Sequence, residues 1–138
     1  MTTYEYEHSE VTDASTDAVY ALWADVTRWA EWDTSIVGIT IDGPFAAGSR
    51  GTMTIEGMPP IPYTLTEVTV GRSFSDETAI PGAVLRFGHV VETVDGGRTK
   101  VTHRVEIEGE NAAELGPMVT GDVPEAMRAL VKLASSAA

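Results

Sequence analysis

Polar and apolar positions alternate along the chain with two different periods. Residues 4–12 put Tyr4, Tyr6, His8, Glu10 and Thr12 on one face and Glu5, Glu7, Ser9 and Val11 on the other, the period of two that a strand requires. The period then lengthens. Val19, Leu22, Trp23 and Val26 follow at the i, i+3, i+4, i+7 spacing of an amphipathic helix. Ser15 is its predicted N-cap, and Asp17 in the first turn suits the positive end of the helix dipole. In the turn that follows, residues 28–33, Trp29 and Trp32 stand three apart, so both fall on one side of a single helical turn.

From residue 36 to residue 107 the pattern becomes short β-rich segments separated by turn signals: Asp42-Gly43-Pro44, Ala47-Gly48, Gly57-Met58-Pro59-Pro60, Gly71, Pro81-Gly82 and Asp95-Gly96-Gly97. Spacing of this kind predicts antiparallel hairpins, with no helix between successive strands. The predicted strands are 36–41, 51–56, 63–70, 73–79, 84–94 and 99–108, six after the first helix. The proline-rich stretch 57–62 reads as a wide hairpin turn between two of them. The last segment carries Leu115, Met118, Val123, Met127, Leu130, Val131 and Ala134 at mostly helical spacing. Gly116-Pro117, Gly121 and Pro124 interrupt it. Asp122 and Glu125 resemble a capping box, so a helix restarting at Val123 and a kinked continuous helix both fit.

The last hairpin allows a register prediction. Leu85, Phe87, His89 and Val91 share one face, as do Val101, His103, Val105 and Ile107. A three-residue loop, Asp95-Gly96-Gly97, with Gly97 left-handed after a type I turn, joins Val94 to Arg98. Counting back pairs Val91 with Val101, His89 with His103, Phe87 with Val105 and Leu85 with Ile107. A two-residue loop would set Leu85 and Phe87 against Glu108 and Glu106, so burial selects the odd-length loop. His89 and His103 are then cross-strand or diagonal neighbours on the inner face.

Composition narrows the function classes. The 138 residues are 43% hydrophobic and 22% charged, which suits one globular domain spanning 1–138. Nine Lys and Arg against 21 Asp and Glu leave a net charge of -12, which repels phosphate backbones and anionic lipid surfaces and argues against nucleic acid or membrane partners. With no cysteine, thiolate chemistry and disulfides are excluded, as fits a reducing compartment. The start of the chain has neither the basic nor the apolar region of a signal peptide, so the expected location is cytoplasmic. No nucleophile elbow, Walker or dinucleotide glycine pattern is present, which removes support for hydrolase, kinase and dehydrogenase readings.

The order strand, two short helices, six antiparallel strands and a long C-terminal helix resembles the helix-grip, START-like fold of the SRPBCC superfamily, an α+β class. Ala14-Ser15 followed by Ala18-Val19-Tyr20-Ala21-Leu22, then Asp25-Val26-Thr27-Arg28-Trp29-Ala30-Glu31-Trp32-Asp33, resembles the opening of its polyketide cyclase/dehydrase-like members. Thr64-Leu65-Thr66-Glu67-Val68, Leu85-Arg86-Phe87-Gly88-His89 and Val101-Thr102-His103-Arg104-Val105-Glu106-Ile107 resemble the middle and last strands of the same family. The resemblance covers essentially the whole chain. It implies a seven-stranded curved antiparallel sheet wrapped around the C-terminal helix, with a cavity between them for an apolar or aromatic ligand. The activities it implies range from aromatase and cyclase to carriers without turnover.

Placed on that fold, His8, His89 and His103 share the concave face. Imidazoles there suit acid/base work or recognition of a ligand carbonyl or phenol; each is equally readable as a hydrogen-bonded strand residue. His89 and His103 are the weak catalytic candidates. The three with Glu10 have the ligand types of a zinc site, but bonds of about 2 Å from separate strands demand more convergence than the pattern supports, and no metal or cofactor is expected. Met53, Met118 and Met127, with Ile55, Phe87 and Leu130, are candidates for the cavity wall because thioethers adapt to irregular apolar shapes; plain core packing explains them as well. Tyr6 is the better placed of two possible phenol donors, Tyr6 and Tyr63. Trp23, Trp29 and Trp32 read first as core anchors, and Glu5, Glu7, Glu106 and Glu108 as a solvated outer face. The predicted ligand-binding set is Tyr6, His8, Met53, Phe87, His89, His103, Met118 and Met127. The leading reading is a monomer or homodimer that binds a hydrophobic small molecule. The alternatives are a cyclase or aromatase using His89 or His103 on a poly-carbonyl substrate, and a protein-interaction module with an exposed apolar patch on the sheet or at Trp29 and Trp32.

Overall fold

The computed structural model describes residues 2–136. Strand β1 (Thr2–Thr12) leads into helix α1 (Thr16–Ala24), a 3-10 turn (Val26–Arg28) and the single-turn helix α2 (Trp29–Trp32). Six strands follow: β2 (Ile36–Asp42), β3 (Arg50–Ile55), β4 (Ile61–Thr69), β5 (Ser73–Ile80), β6 (Ala83–Thr93) and β7 (Thr99–Gly109). Helices α3 (Ala112–Thr120) and α4 (Val123–Ser136) close the chain. All seven strands form one curved antiparallel sheet in the order β1-β7-β6-β5-β4-β3-β2. Each β2–β7 neighbour is a hairpin partner, and β1 returns to lie beside β7.

Local chemistry explains the element boundaries. Ser15 caps α1 as predicted, its hydroxyl accepting from the Ala18 amide at 3.1 Å. β4 begins two residues earlier than its apolar alternation predicts and takes in Pro62, which pairs with Thr52. The C-terminal segment is two helices, parted at Gly121 and Asp122, and α3 accommodates Pro117 in its interior. Gly116 lies against the Tyr4 ring so closely that a Cβ there would collide with it. The Tyr4 hydroxyl donates to Thr120 Oγ1 at 3.1 Å, while Thr120 Oγ1 donates to the Gly116 carbonyl at 2.8 Å. These contacts fix α3 over one end of the sheet. Thr12 and Ser135 hydroxyls meet at 3.1 Å and fix the end of α4 over the other.

The β6–β7 register is the predicted one: Val91 pairs with Val101, His89 with His103, Phe87 with Val105 and Leu85 with Ile107. Val94 and Arg98 close the loop, amide to carbonyl, at 2.8 Å. The turn itself differs. Gly96 and Gly97 both have positive φ, 80° and 74°, whereas a type I turn followed by a bulge needs only one left-handed residue. Two glycines make this turn accessible at no steric cost, and the loop length, which sets the register, is unaffected.

Reading across the strands, the concave face is a set of rows. One runs Val68, Phe74, His89, His103, His8 from β4 to β1. The next runs Leu65, Asp76, Phe87, Val105, Tyr6, and the third Thr78, Leu85, Ile107, Tyr4. Two apolar clusters fill the space behind the sheet. The larger joins Trp23, Trp29, Trp32, Tyr63, Leu65, Phe74, Met127 and Leu130; the smaller joins Leu85, Val105, Ile107 and Ala112. On the convex face Arg86 links Glu77, Glu106 and Glu108 at 3.0–3.4 Å, and Arg104 meets Glu5 at 2.9 Å. The acids read as an outer shell are outside, and three of them, with Glu77, are held by two arginines. Such exposed pairs contribute little to stability.

Candidate functional site

The row of histidines is closed over by tryptophans. Helix α1 lays Trp23 across the imidazoles, with ring centroids 5.7 Å from His89 and 5.8 Å from His103, and α2 brings Trp32 to 6.1 Å from His103. Trp29 and Trp32 face the same way, centroids 6.0 Å apart, and the Trp29 indole donates to the Trp23 carbonyl at 2.9 Å. All three tryptophans are buried, so the two-tryptophan turn is an anchor and presents no apolar patch. His89 stacks on Phe74 at 3.9 Å with nearly parallel rings, and its Nδ1 donates to the Phe74 carbonyl at 3.2 Å. His89 and His103 meet edge to face at 4.6 Å.

Burial controls the charge of this pair. It pulls the His89 imidazole down to about 4, only partly opposed by the hydrogen bond to the Phe74 carbonyl. His103 is also lowered well below the ordinary histidine range, by burial first and then by His89 and His8. Both rings are neutral near pH 7. Trp23 Nε1, Trp32 Nε1 and His103 Nε2 are sealed with no hydrogen-bond partner in the protein. His8 completes the row at the sheet edge, where 26% of its side chain is exposed and its Nε2 lies 2.6 Å from Glu10 Oε2. Among the described residues no three imidazole or carboxylate groups converge so that they could hold a metal ion.

One row away stands a residue the sequence reading passed over. Asp76 on β5 is 5% exposed, between Leu65 of β4 and Phe87 of β6. No side-chain hydrogen bond or cation reaches its carboxyl, and burial alone pushes it up to about 7. Neighbouring donors are committed elsewhere. Tyr63, whose phenol burial first and Asp76 second push up to about 12, donates to the Thr40 carbonyl at 2.7 Å, and His89 donates to Phe74. The signal for Asp76 was present: Phe74 on an inward face carries Asp76 and Thr78 with it by the period of two.

The other predicted residues divide. Tyr6, Met53 and Phe87 lie on the inner side of the sheet, partly buried, Met53 packed against the larger cluster and Tyr6 and Phe87 against the smaller. Met127 is wholly buried in the larger cluster. Met118 is a correction: it is 78% exposed, because α3 turns Ala112, Gly116 and Thr120 toward the sheet and Met118 away from it. The two best-formed depressions are also elsewhere. One of about 520 Å³ lies among Ile80, Ala83, Val84, Glu108 and Glu110, the other of about 310 Å³ among Asp33, Glu56, Asp122 and Glu125. Neither reaches the predicted ligand-binding set.

The shape of the chain is shared with solved structures. Ara h 8.0201 superposes with a TM-score of 0.78 at 13% identity, over 98% of this chain and 99% of that one. Truncated norcoclaurine synthase from Thalictrum flavum gives 0.77 at 15% identity, over 96% and 93%. The same synthase in complex with dopamine and hydroxybenzaldehyde gives 0.76 at 14% identity, over 98% and 88%. At these identities the likeness concerns the fold. No curated protein matches the chain. The family model described as polyketide cyclase / dehydrase and lipid transport matches residues 3–135, and with its strands, register and closing helices in place the chain belongs to that family, within the SRPBCC superfamily.

Proposed function

We propose that the protein binds a hydrophobic or aromatic small molecule between the concave face of the sheet and helices α3 and α4. Tyr6, Met53 and Phe87 contact it, with Asp76 beside them and Met127, His89 and His103 forming the wall behind. The observation that carries this reading is the incomplete burial of Tyr6, Met53 and Phe87, which sit on the inner side of the sheet yet are not sealed, while the aromatic row next to them is. Inward apolar surface that the protein covers only in part is the raw material of a ligand site. Family membership supports the reading, as does a relative of the same fold solved with two aromatic molecules. Because the two depressions at the surface lie elsewhere, entry requires side chains to move, for which flexible Met53 is suited.

Acid/base turnover by His89 or His103 is the weaker reading, since an imidazole held neutral down to about pH 4 is a poor base near pH 7. An interaction module has lost its best surface with the burial of Trp29 and Trp32. The test is uptake of the neutral fluorophore N-phenyl-1-naphthylamine. Saturable enhancement at one probe per chain, weakened by Phe87→Asp and unchanged by Met118→Asp, is expected. Absence of enhancement up to the solubility limit of the probe would overturn the proposal, as would equal loss in both variants. Native mass spectrometry of the purified protein reads any co-purified ligand directly.

A further inference from the structure

A carboxyl buried among apolar side chains costs the folded protein free energy unless a cation or hydrogen-bond donors compensate it. Asp76 has neither. Its cross-strand neighbours are Leu65 and Phe87, and Thr78 follows it on the same face of β5. Tyr63 and His89 donate to backbone carbonyls. The strand cations Arg50, Arg86, Lys100 and Arg104 all have the opposite parity to the inner residues Gly51, Phe87, Val101 and His103, and belong to the convex face. Asp76 therefore stands on the concave side with no strand cation to balance its carboxylate.

The geometry points to a ligand that brings the missing partner: we propose that the bound molecule is an apolar or aromatic amine whose ammonium group meets the Asp76 carboxylate while its hydrocarbon body lies against Phe87. This rests on the ligand-binding reading above and narrows it to a chemical class. Three properties of the chain favour a cation over an anion or a neutral molecule. An ion pair in a low-dielectric site is worth far more than one in water. Phe87, the cross-strand neighbour of Asp76, supplies an aromatic ring of the kind that attracts cations. The net charge of -12 raises the local concentration of cations around the whole molecule.

The experiment displaces bound N-phenyl-1-naphthylamine with two probes of equal shape, naphthylethylamine and naphthylethanol, at about pH 8, where the Asp76 carboxyl is mostly ionised and an alkylamine is still protonated. The amine is expected to displace the fluorophore at a concentration at least about tenfold lower than the alcohol, in keeping with the strength of desolvated charge pairs. Asp76→Asn, which keeps the shape of the side chain, is expected to lose the preference for the amine, read as the ratio of the two displacing concentrations so that any change in fluorophore affinity cancels; Asp76→Ser serves as a second neutral variant should Asn fail to fold. Equal displacement by both probes, or a preference that survives in the neutral variants, overturns the inference and leaves the ligand-binding reading standing. Failure of the wild-type protein to take up the fluorophore removes both.

Discussion

The histidine row and the Asp76 row lie one cross-strand step apart on the same concave surface, and burial acts on both in opposite directions. It lowers the imidazoles and raises the carboxyl, because in each case the neutral form is the one that tolerates loss of water. The difference is in what surrounds them. His89 has a stacked phenylalanine, a carbonyl partner and a tryptophan above it, and it is satisfied as a neutral ring. Asp76 has only apolar neighbours across the strands. A buried titratable group with its partners in place is a packing residue, and one without them is a place where something else can bind.

The sharpest way to break this contrast is to remove the roof over the histidines. Trp23→Ala is expected to cost about 3–5 kcal/mol, as large aromatic truncations in a core do, read as a shift in the urea midpoint. It should also move the His89 titration, followed by NMR, from about 4 back toward the ordinary histidine range. A His89 titration unchanged in a folded variant would mean that Trp23 is not what dries the row.

Next in size is Asp76→Asn. The folded carboxyl titrates above its unfolded counterpart, so its protonated form favours the fold below the ordinary aspartate range and that stability is lost as pH rises through about 7. At about 1.4 kcal/mol per unit of displacement, removing the charge should stabilise the protein by a few kcal/mol at alkaline pH and by almost nothing near pH 4. Thermal melts of the two proteins across that range should converge at the acid end. Parallel curves would contradict the burial of an ionisable Asp76.

The smallest effect belongs to His89→Phe. The folded imidazole titrates below its unfolded value, so stability is intact above the ordinary histidine range and is lost as pH falls toward about 4. The variant gives up one hydrogen bond to the Phe74 carbonyl, about 1 kcal/mol at pH 7, and escapes the acid-side loss. Its denaturation midpoint should therefore lie below that of the wild type at neutral pH and cross above it in acid. If the curves do not cross, His89 is already charged in the native protein.

Much of this surface is legible from residue order. The alternation of β6 and β7 and the length of the Asp95–Gly97 loop set His89 opposite His103, since both are local constraints and a slip of one residue would turn every side chain over. Parity puts His8 on the same face, and the pairing of β1 with β7 brings it into the same row. Met118 was misplaced because a heptad-like spacing across Gly116-Pro117 and Gly121 does not say where one helix stops and the next begins. Asp76 was overlooked even though Phe74 fixes its face, because a strand reading Ser73-Phe74-Ser75-Asp76-Glu77-Thr78 is polar on both sides and does not mark its buried one.

Strand identity, hairpin order, the register of the last hairpin and the excess of acids over cations follow from the sequence alone, because each depends on residues close together in the chain or on simple counting. The state of the inward groups does not. That His89 and His103 are sealed and neutral depends on Trp23 and Trp32 arriving from helices more than fifty residues away, and that Asp76 is buried without a donor depends on Tyr63 giving its proton to the Thr40 carbonyl. Desolvation belongs to the assembled interior, and only the tertiary structure decided which of the inward polar residues it left without a partner.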